Sequence, residues 1–392
     1  MARPVPANVN PRLLDWARRE GGFSVEAVAR RVGVSTSRVE EWERGDRQPT
    51  VRQTLKLAGL YRRPFGVFFL AEPPVTEPIA AEYRRLPGVK PGSESPEFRL
   101  AIRLMMQRRE LALELGSDGF ADFPLAVRFS DGAETASARI RAALSIPVET
   151  QASWKDEWTA WREWRSAVEG IGVLVFQFPS VTLTEARGVA LPHFELPGVG
   201  INSKESAPGA RVFTLIHEVV HLALNRAREE DVALRERRSE SQWLEVERFA
   251  EEVASRVLVP GGALEKALPL QRPRVWDVQA VRTLARRFRI TPRAMATRLR
   301  SAGLMSWSAY REWIAAWEKA VAAMPPKKGG FATPVDKTLG RAGRPLTQLV
   351  LEALDSNRIS AVDASRYLDL RFDHFEVLRA ELGQPRAAAS AE

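Results

Sequence analysis

Four histidines serve a chain of 392 residues. Two of them stand four positions apart in FTLIHEVVHLALN (213–225), with a glutamate directly after the first. On a helix, such positions lie about 40° apart around the axis and about 6 Å along it, so His217 and His221 can each turn a ring nitrogen toward one ion. Glu218 projects from a neighbouring face, suited to taking a proton from water rather than to ligating. H-E-x-x-H carries this division of labour: two imidazoles as Zn²⁺ ligands and a carboxylate as general base. A third ligand is required, and no histidine occurs downstream before His374. Glu247 in VERFAEEVA is the first candidate and Glu251, one turn later, the second. A His₂Glu set with one open position is a catalytic arrangement, and it suits Zn²⁺, Mn²⁺ or Fe²⁺. The bland alternative is a buried helix whose imidazoles bond to backbone, but so histidine-poor a chain seldom produces the pattern by chance. His193 reads first as an ordinarily satisfied histidine and second as a hydrogen-bond donor to a transition state.

These residues need elements to hold them. IGVLVFQF (171–178) reads as a short buried strand and VGINS (199–203) as another, followed by the HEVVH helix and a helix carrying WLEVERFAEEVASRVLVP (243–260). PEFRLAIRLMMQRRELALEL (96–115) is a long amphipathic helix. Trp154, Trp158, Trp161 and Trp164 fall on one helical stripe and read as core rather than as a stacking platform. Residues 261–322 read as helical, PPKKGGFATP (325–334) as a linker, and RPLTQLVLEAL with SAVDASRYLDL as a final helical segment. No internal repeat is evident. The length implies two or three domains. Cysteine is absent, which excludes disulfides, thiolate catalysis and Cys-ligated zinc. With no leader-like apolar run and no stretch of about 18 apolar residues, a cytoplasmic protein without membrane contact is expected.

The net charge is +9. Residues 1–65 hold 13 lysines and arginines against 7 aspartates and glutamates, so six of those charges sit in the head. Ser24 caps SVEAVARRVG, Gly33 ends it, Val34 leads into STSRVEEWERG, and TVRQTLKLAGL comes next. Two short helices joined by a glycine turn form a helix-turn-helix. Its second helix would offer Ser35, Thr36, Ser37, Arg38 and Glu41 to a major groove, with Arg44 and Arg47 reaching phosphates. Glu40, Glu41 and Glu43 make that helix unusually acidic for a base reader. The rival reading is a protein-interaction head without DNA affinity.

FTLIHEVVHLAL followed by ERFAEEVASRVLVP resembles the ImmA/IrrE family of metallopeptidases. The resemblance puts Glu247 at the third zinc ligand, with Ala250, Ala254, Leu258 and Pro260 matching; Glu251, Val253 and Val219 depart from the usual residues. It implies that VGIN is the sheet edge beside the active site, onto which an extended substrate adds as a strand. Residues 24–58 resemble the Cro/C1-type (XRE) helix-turn-helix through Ala29, Gly33, Val34, Ser35, Trp42, Glu43, Gly45 and Pro49, and this implies a structural role for Glu43. YRRPFGVFFLAEPP resembles the segment after the helix-turn-helix in proteins that carry both modules.

The expectation is a multidomain, mainly α protein. A Cro/C1-type head (1–70) precedes a linker (71–96), a zincin-like α+β metallopeptidase domain (97–300) and an all-α C-terminal region (301–392). The implied function is a DNA-binding regulator whose zinc endopeptidase cleaves a repressor or antitoxin, controlling stress, mobile-element or toxin–antitoxin genes. Operator DNA and the cleaved protein are the expected partners, and the C-terminal region is left to sense a ligand or hold a homodimer. The alternative is a non-proteolytic regulator or antitoxin that keeps the metallopeptidase-like fold for structure or sensing.

Overall fold

The computed structural model describes residues 5–74, 94–116, 119–229, 240–269, 273, 275–323 and 332–383. Most of the expected linker 71–96, the charged stretch after the HEVVH helix, the PPKKGGF segment and the last nine residues lie outside the described residues. The described residues are mainly helical, with one small sheet. They form two compact units that divide at Leu104/Met105, inside the helix Pro96–Glu114.

In the first unit, helices Pro11–Glu20, Val25–Val32, Thr36–Arg44 and Val51–Tyr61 precede a 3-10 turn, Phe65–Phe69. Each of the four helices begins with a side-chain cap, from Asn10, Ser24, Ser35 and Thr50, so an orphan N–H is satisfied at every start. Gly33 ends the second helix at φ 84°, a left-handed conformation that an L side chain resists. Leu13, Leu14, Val28, Val39, Trp42 and Phe68 fill the core between them. Glu43 accepts two bonds from Arg18, at 2.7 and 2.9 Å, and so locks the third helix to the first.

In the second unit a three-stranded sheet has the order β1–β3–β2: Leu174–Phe178, Gly198–Asn202 and Gly188–Leu191. β1 runs parallel to β3 and β2 antiparallel to it, with Gly188 opposite Ile201 and Leu191 opposite Gly198. VGIN is therefore the central strand. The expectation that it forms the edge is corrected: the strand beside the HEVVH helix at the sheet margin is β2, which no sequence pattern marks. Four residues between Arg187 and Pro192 are too few to show a strand's period-2 pattern, and their burial on both faces hides alternation altogether. Asn202, fully buried, donates from Nδ2 to the carbonyls of Val181 and Ala186, and so fastens the β1–β2 connection to the end of β3.

Helices Glu157–Gly170, Pro208–Arg226 and Glu240–Leu258 pack around this sheet and around one another. The tryptophan stripe is only partly a core feature. Trp161 and Trp164 are buried, and Trp154 is buried too but precedes the helix, outside its helical turn. Trp158 is 47% exposed, with the Arg211 guanidinium above its ring. Helices Gly261–Ala267, Val278–Arg287, Pro292–Ser301 and Trp307–Ala322 come next, and the C-terminal region is entirely helical where described. Within it, the helix Pro334–Ala342 lies on β1: Arg165 donates to the carbonyls of both Val175 and Gly340.

Candidate metal centre

The Pro208–Arg226 helix starts with proline at its first position and is buried along nearly its whole length by Val212, Leu215, Ile216, Val219, Val220 and Leu224. Burial on several faces fixes the helix rotation, and that rotation decides where its three polar side chains point. His217 and His221 turn toward Glu240–Leu258, whose own rotation is set by buried Val246, Ala250, Val253 and Ala254.

The two imidazoles bring their Nε2 atoms within 3.1 Å of each other. Glu247 places Oε2 at 3.3 Å from His217 Nε2 and Oε1 at 3.8 Å from His221 Nε2. Two neutral-capable nitrogens and one carboxylate oxygen thus converge on a single point. Four-coordinate zinc with bonds of about 2.0–2.1 Å holds its ligand atoms about 3.3 Å apart, so the spacing and chemistry of this donor set fit such an ion. His221 is almost fully buried, whereas the side chains of His217 and Glu247 remain 16% and 21% exposed, so the cluster opens on one side.

Glu251 is not part of the cluster. Its carboxylate, one turn along the helix from Glu247, pairs with Arg300 at 3.2 Å. Glu218, on the same helix as the imidazoles, is buried at 4% exposure, and its Oε2 has no hydrogen-bond partner. A buried carboxylate oxygen left unbonded is costly, and such atoms are retained where they serve chemistry. The backbone of β2 presses close to it. A Cβ on Gly188 would stand 2.4 Å from Thr214 Cγ2 and 2.9 Å from Glu218 Oε1. Gly188 is therefore a positioning residue that sequence reasoning missed; a glycine within a short apolar run was the available signal of close backbone approach.

His193 lies in the β2–β3 connection, where its N–H bonds the Leu191 carbonyl. Burial, with a smaller contribution from Arg109, pushes its imidazole down to about 4, so the ring is neutral at neutral pH. Its Nε2 is buried without a hydrogen-bond partner.

Residues 168–300 match the peptidase family described as the IrrE N-terminal-like domain. Residues 14–68 match the helix-turn-helix family, and the two occur in the order that the sequence motifs implied. No curated protein and no solved structure matches the chain. The IrrE N-terminal-like domain spans the sheet, the HEVVH helix, the Glu247 helix and the helices up to Arg300. It makes this part of the chain peptidase-like, with a residue cluster that could hold a metal ion.

In the helix-turn-helix, Ser35, Thr36 and Ser37 are exposed at the start of the second helix and Arg38 is half-buried. Ser35 caps that helix through Arg38 N–H. The nearby cations are engaged within the head: Arg38 with Glu41 at 3.1 Å, Arg44 with Asp46 at 2.8 Å, and Arg47 with Glu41 at 3.9 Å. Glu43, locked to Arg18, takes the structural role its place in the motif implied. No helix among the described residues is long and apolar enough to cross a membrane.

Proposed function

We propose that this chain is a cytoplasmic DNA-binding regulator whose IrrE N-terminal-like domain cleaves a protein, a repressor or antitoxin, with a divalent ion held by His217, His221 and Glu247. The convergence of those three groups carries the reading. An ion bound there, zinc in the first instance, supplies Lewis acidity toward water and toward a peptide carbonyl. Glu218 takes a proton from the attacking water at Oε2 and passes it to the departing amine. Its burial beside Gly188 keeps the carboxylate in one rotamer, so little reorganisation accompanies the transfer. An extended segment of substrate pairs with β2, which lies at the sheet margin and packs against the HEVVH helix. The head binds operator DNA, with Thr36, Ser37 and Arg38 at base edges and Arg44 and Arg47 exchanging their internal carboxylates for phosphates.

The deciding experiment incubates the full-length protein with the repressor or antitoxin encoded beside it, with zinc and with a chelator. Cleavage is expected only with metal, and Glu218→Gln should lower it about 10²–10⁴-fold while zinc content stays at wild-type level. Equal cleavage by Glu218→Gln, or intact substrate with zinc-loaded wild type, would sink the peptidase reading and leave a regulator that uses the fold for structure or sensing.

A further inference from the structure

The last helices of the chain repeat the architecture of the head. Adding 336 to a residue number in the head gives its counterpart. Ser24 caps Val25–Val32 through the N–H of Ala27, and Ser360 caps Ala361–Leu368 through the N–H of Asp363. Buried Val28 and Val32 correspond to buried Ala364 and Leu368. Gly33, left-handed at φ 84°, corresponds to Asp369, left-handed at φ 47°. The next residue closes both turns alike: Val34 N–H bonds the Ala29 carbonyl at 3.0 Å, and Leu370 N–H bonds that of Ser365 at 3.1 Å. Core residues Val39 and Trp42 become Phe375 and Leu378. In the preceding helix, Leu14 and Ala17 become Val350 and Ala353.

An ion pair of exchanged charge also ties the corresponding helices together, its partner on the first helix shifted by one residue. Glu43 holds Arg18 of the first helix through two bonds, and Arg379, its counterpart, holds Asp355 through two bonds of 2.6 and 2.8 Å. One cap, the left-handed turn and the core positions agree at one constant offset, and the locking pair agrees at Arg379, with its partner Asp355 one residue beyond the counterpart of Arg18. Residues 344–383 therefore have the local geometry of a second helix-turn-helix, which no family match assigns.

Its outward chemistry differs. Where the head presents Thr36 and Glu41, this unit presents Phe372 and Val377, which are 57% and 59% exposed. Positions 44 and 47, arginines in the head, become Ala380 and Gly383. Residues 332–383 carry 7 basic against 8 acidic side chains, in contrast to the head's excess of six positive charges. That balance removes the electrostatic attraction on which DNA affinity rests. The exposed pair is flanked by charges of both signs: Arg371, which bonds Asp373 at 2.8 Å, and Glu376. Apolar residues ringed by charges of both signs suit a second copy of the same surface. A two-fold contact would set Phe372 and Val377 against their own copies, with Arg371 near Asp373 and Glu376 of the other copy.

We propose that residues 344–383 form a helix-turn-helix unit that has exchanged DNA contact for self-pairing, and that it joins two copies of the chain through Phe372 and Val377. Neutral charge lets these units approach each other, whereas two heads repel. Pairing at the C-terminal unit would then bring two heads to one operator, as dimeric readers require for two half-sites.

Sedimentation velocity on the full-length protein tests this. Wild type should sediment as a dimer that dissociates on dilution. F372D with V377D should be monomeric with an unchanged far-UV circular dichroism spectrum, and should bind a two-half-site operator about 10²-fold more weakly through lost avidity. Should the double variant fold poorly, Phe372→Ala alone should still weaken dimerisation about tenfold. A monomeric wild type, or a double variant that stays dimeric, overturns the proposal. So does an Arg371→Glu variant that keeps the wild-type oligomeric state but loses DNA binding, which would assign the unit to nucleic acid. Dimerisation is read without metal or substrate, so its failure leaves the peptidase reading untouched.

Discussion

His193 couples a single residue to pH. Its folded value of about 4 lies below the ordinary 6.5, so the unfolded chain takes up this proton first as pH falls. Stability should therefore decline as pH drops from about 6.5 to about 4 and level off below that; urea midpoints for His193→Gln should show a flatter slope over that window. Gly188 offers a second residue-scale check. Gly188→Ala forces Thr214 or Glu218 to move, so cleavage should fall by up to about 10²-fold while zinc content, measured by metal analysis, holds. The sequence made the imidazoles and Glu218 legible because their spacing encodes geometry within one helix. Choosing Glu247 over Glu251 from spacing alone was not open to it, since that choice depends on how a second helix is rotated and on Arg300 occupying Glu251.

That rotation, set by the buried residues along the Glu240–Leu258 helix, is also held at its carboxyl end. Three successive carbonyls there are capped from elsewhere in the sequence: Arg141 reaches Val257, Gln151 reaches Leu258 and Arg298 reaches Val259. Gln151 is wholly buried and also donates to the Phe288 carbonyl at 2.6 Å. Gln151→Leu should cost about 2–3 kcal/mol of unfolding free energy by stranding buried acceptors, as chemical denaturation would measure. Because the helix carries Glu247, zinc affinity should weaken with it. No motif announces these caps, because each partner lies more than 35 residues away in sequence. Long, strongly periodic helices such as Pro96–Glu114 were readable, whereas β2 was not: its identity comes from pairing with β3 rather than from its own pattern.

Across the molecule, the two proposed activities make separable demands. Head binding to DNA should weaken with salt, and Arg44→Ala and Arg47→Ala should each lower the slope of log affinity against log salt by about 1, as fluorescence anisotropy would show. Neither change should alter cleavage by the metal centre. The order of the modules was visible in the sequence because each has a local motif. The likeness of the C-terminal helices to the head was not, because Asp369 stands where the head has Gly33 and Arg379 where it has Glu43, its partner Asp355 one residue off the place of Arg18, so chemistry differs where geometry agrees.

The helix seated on β1 has one more effect. Among the described residues, the helix Pro334–Ala342 packs on β1 with Arg165 bridging Val175 and Gly340, so the proposed substrate strand would add beyond β2. Four residues of β2 give a docking rail of about 13 Å. On the proposed peptidase reading, a substrate would need to surrender no more than one short unstructured stretch, so exposed hinges in otherwise folded proteins, rather than unfolded chains at large, would be the targets.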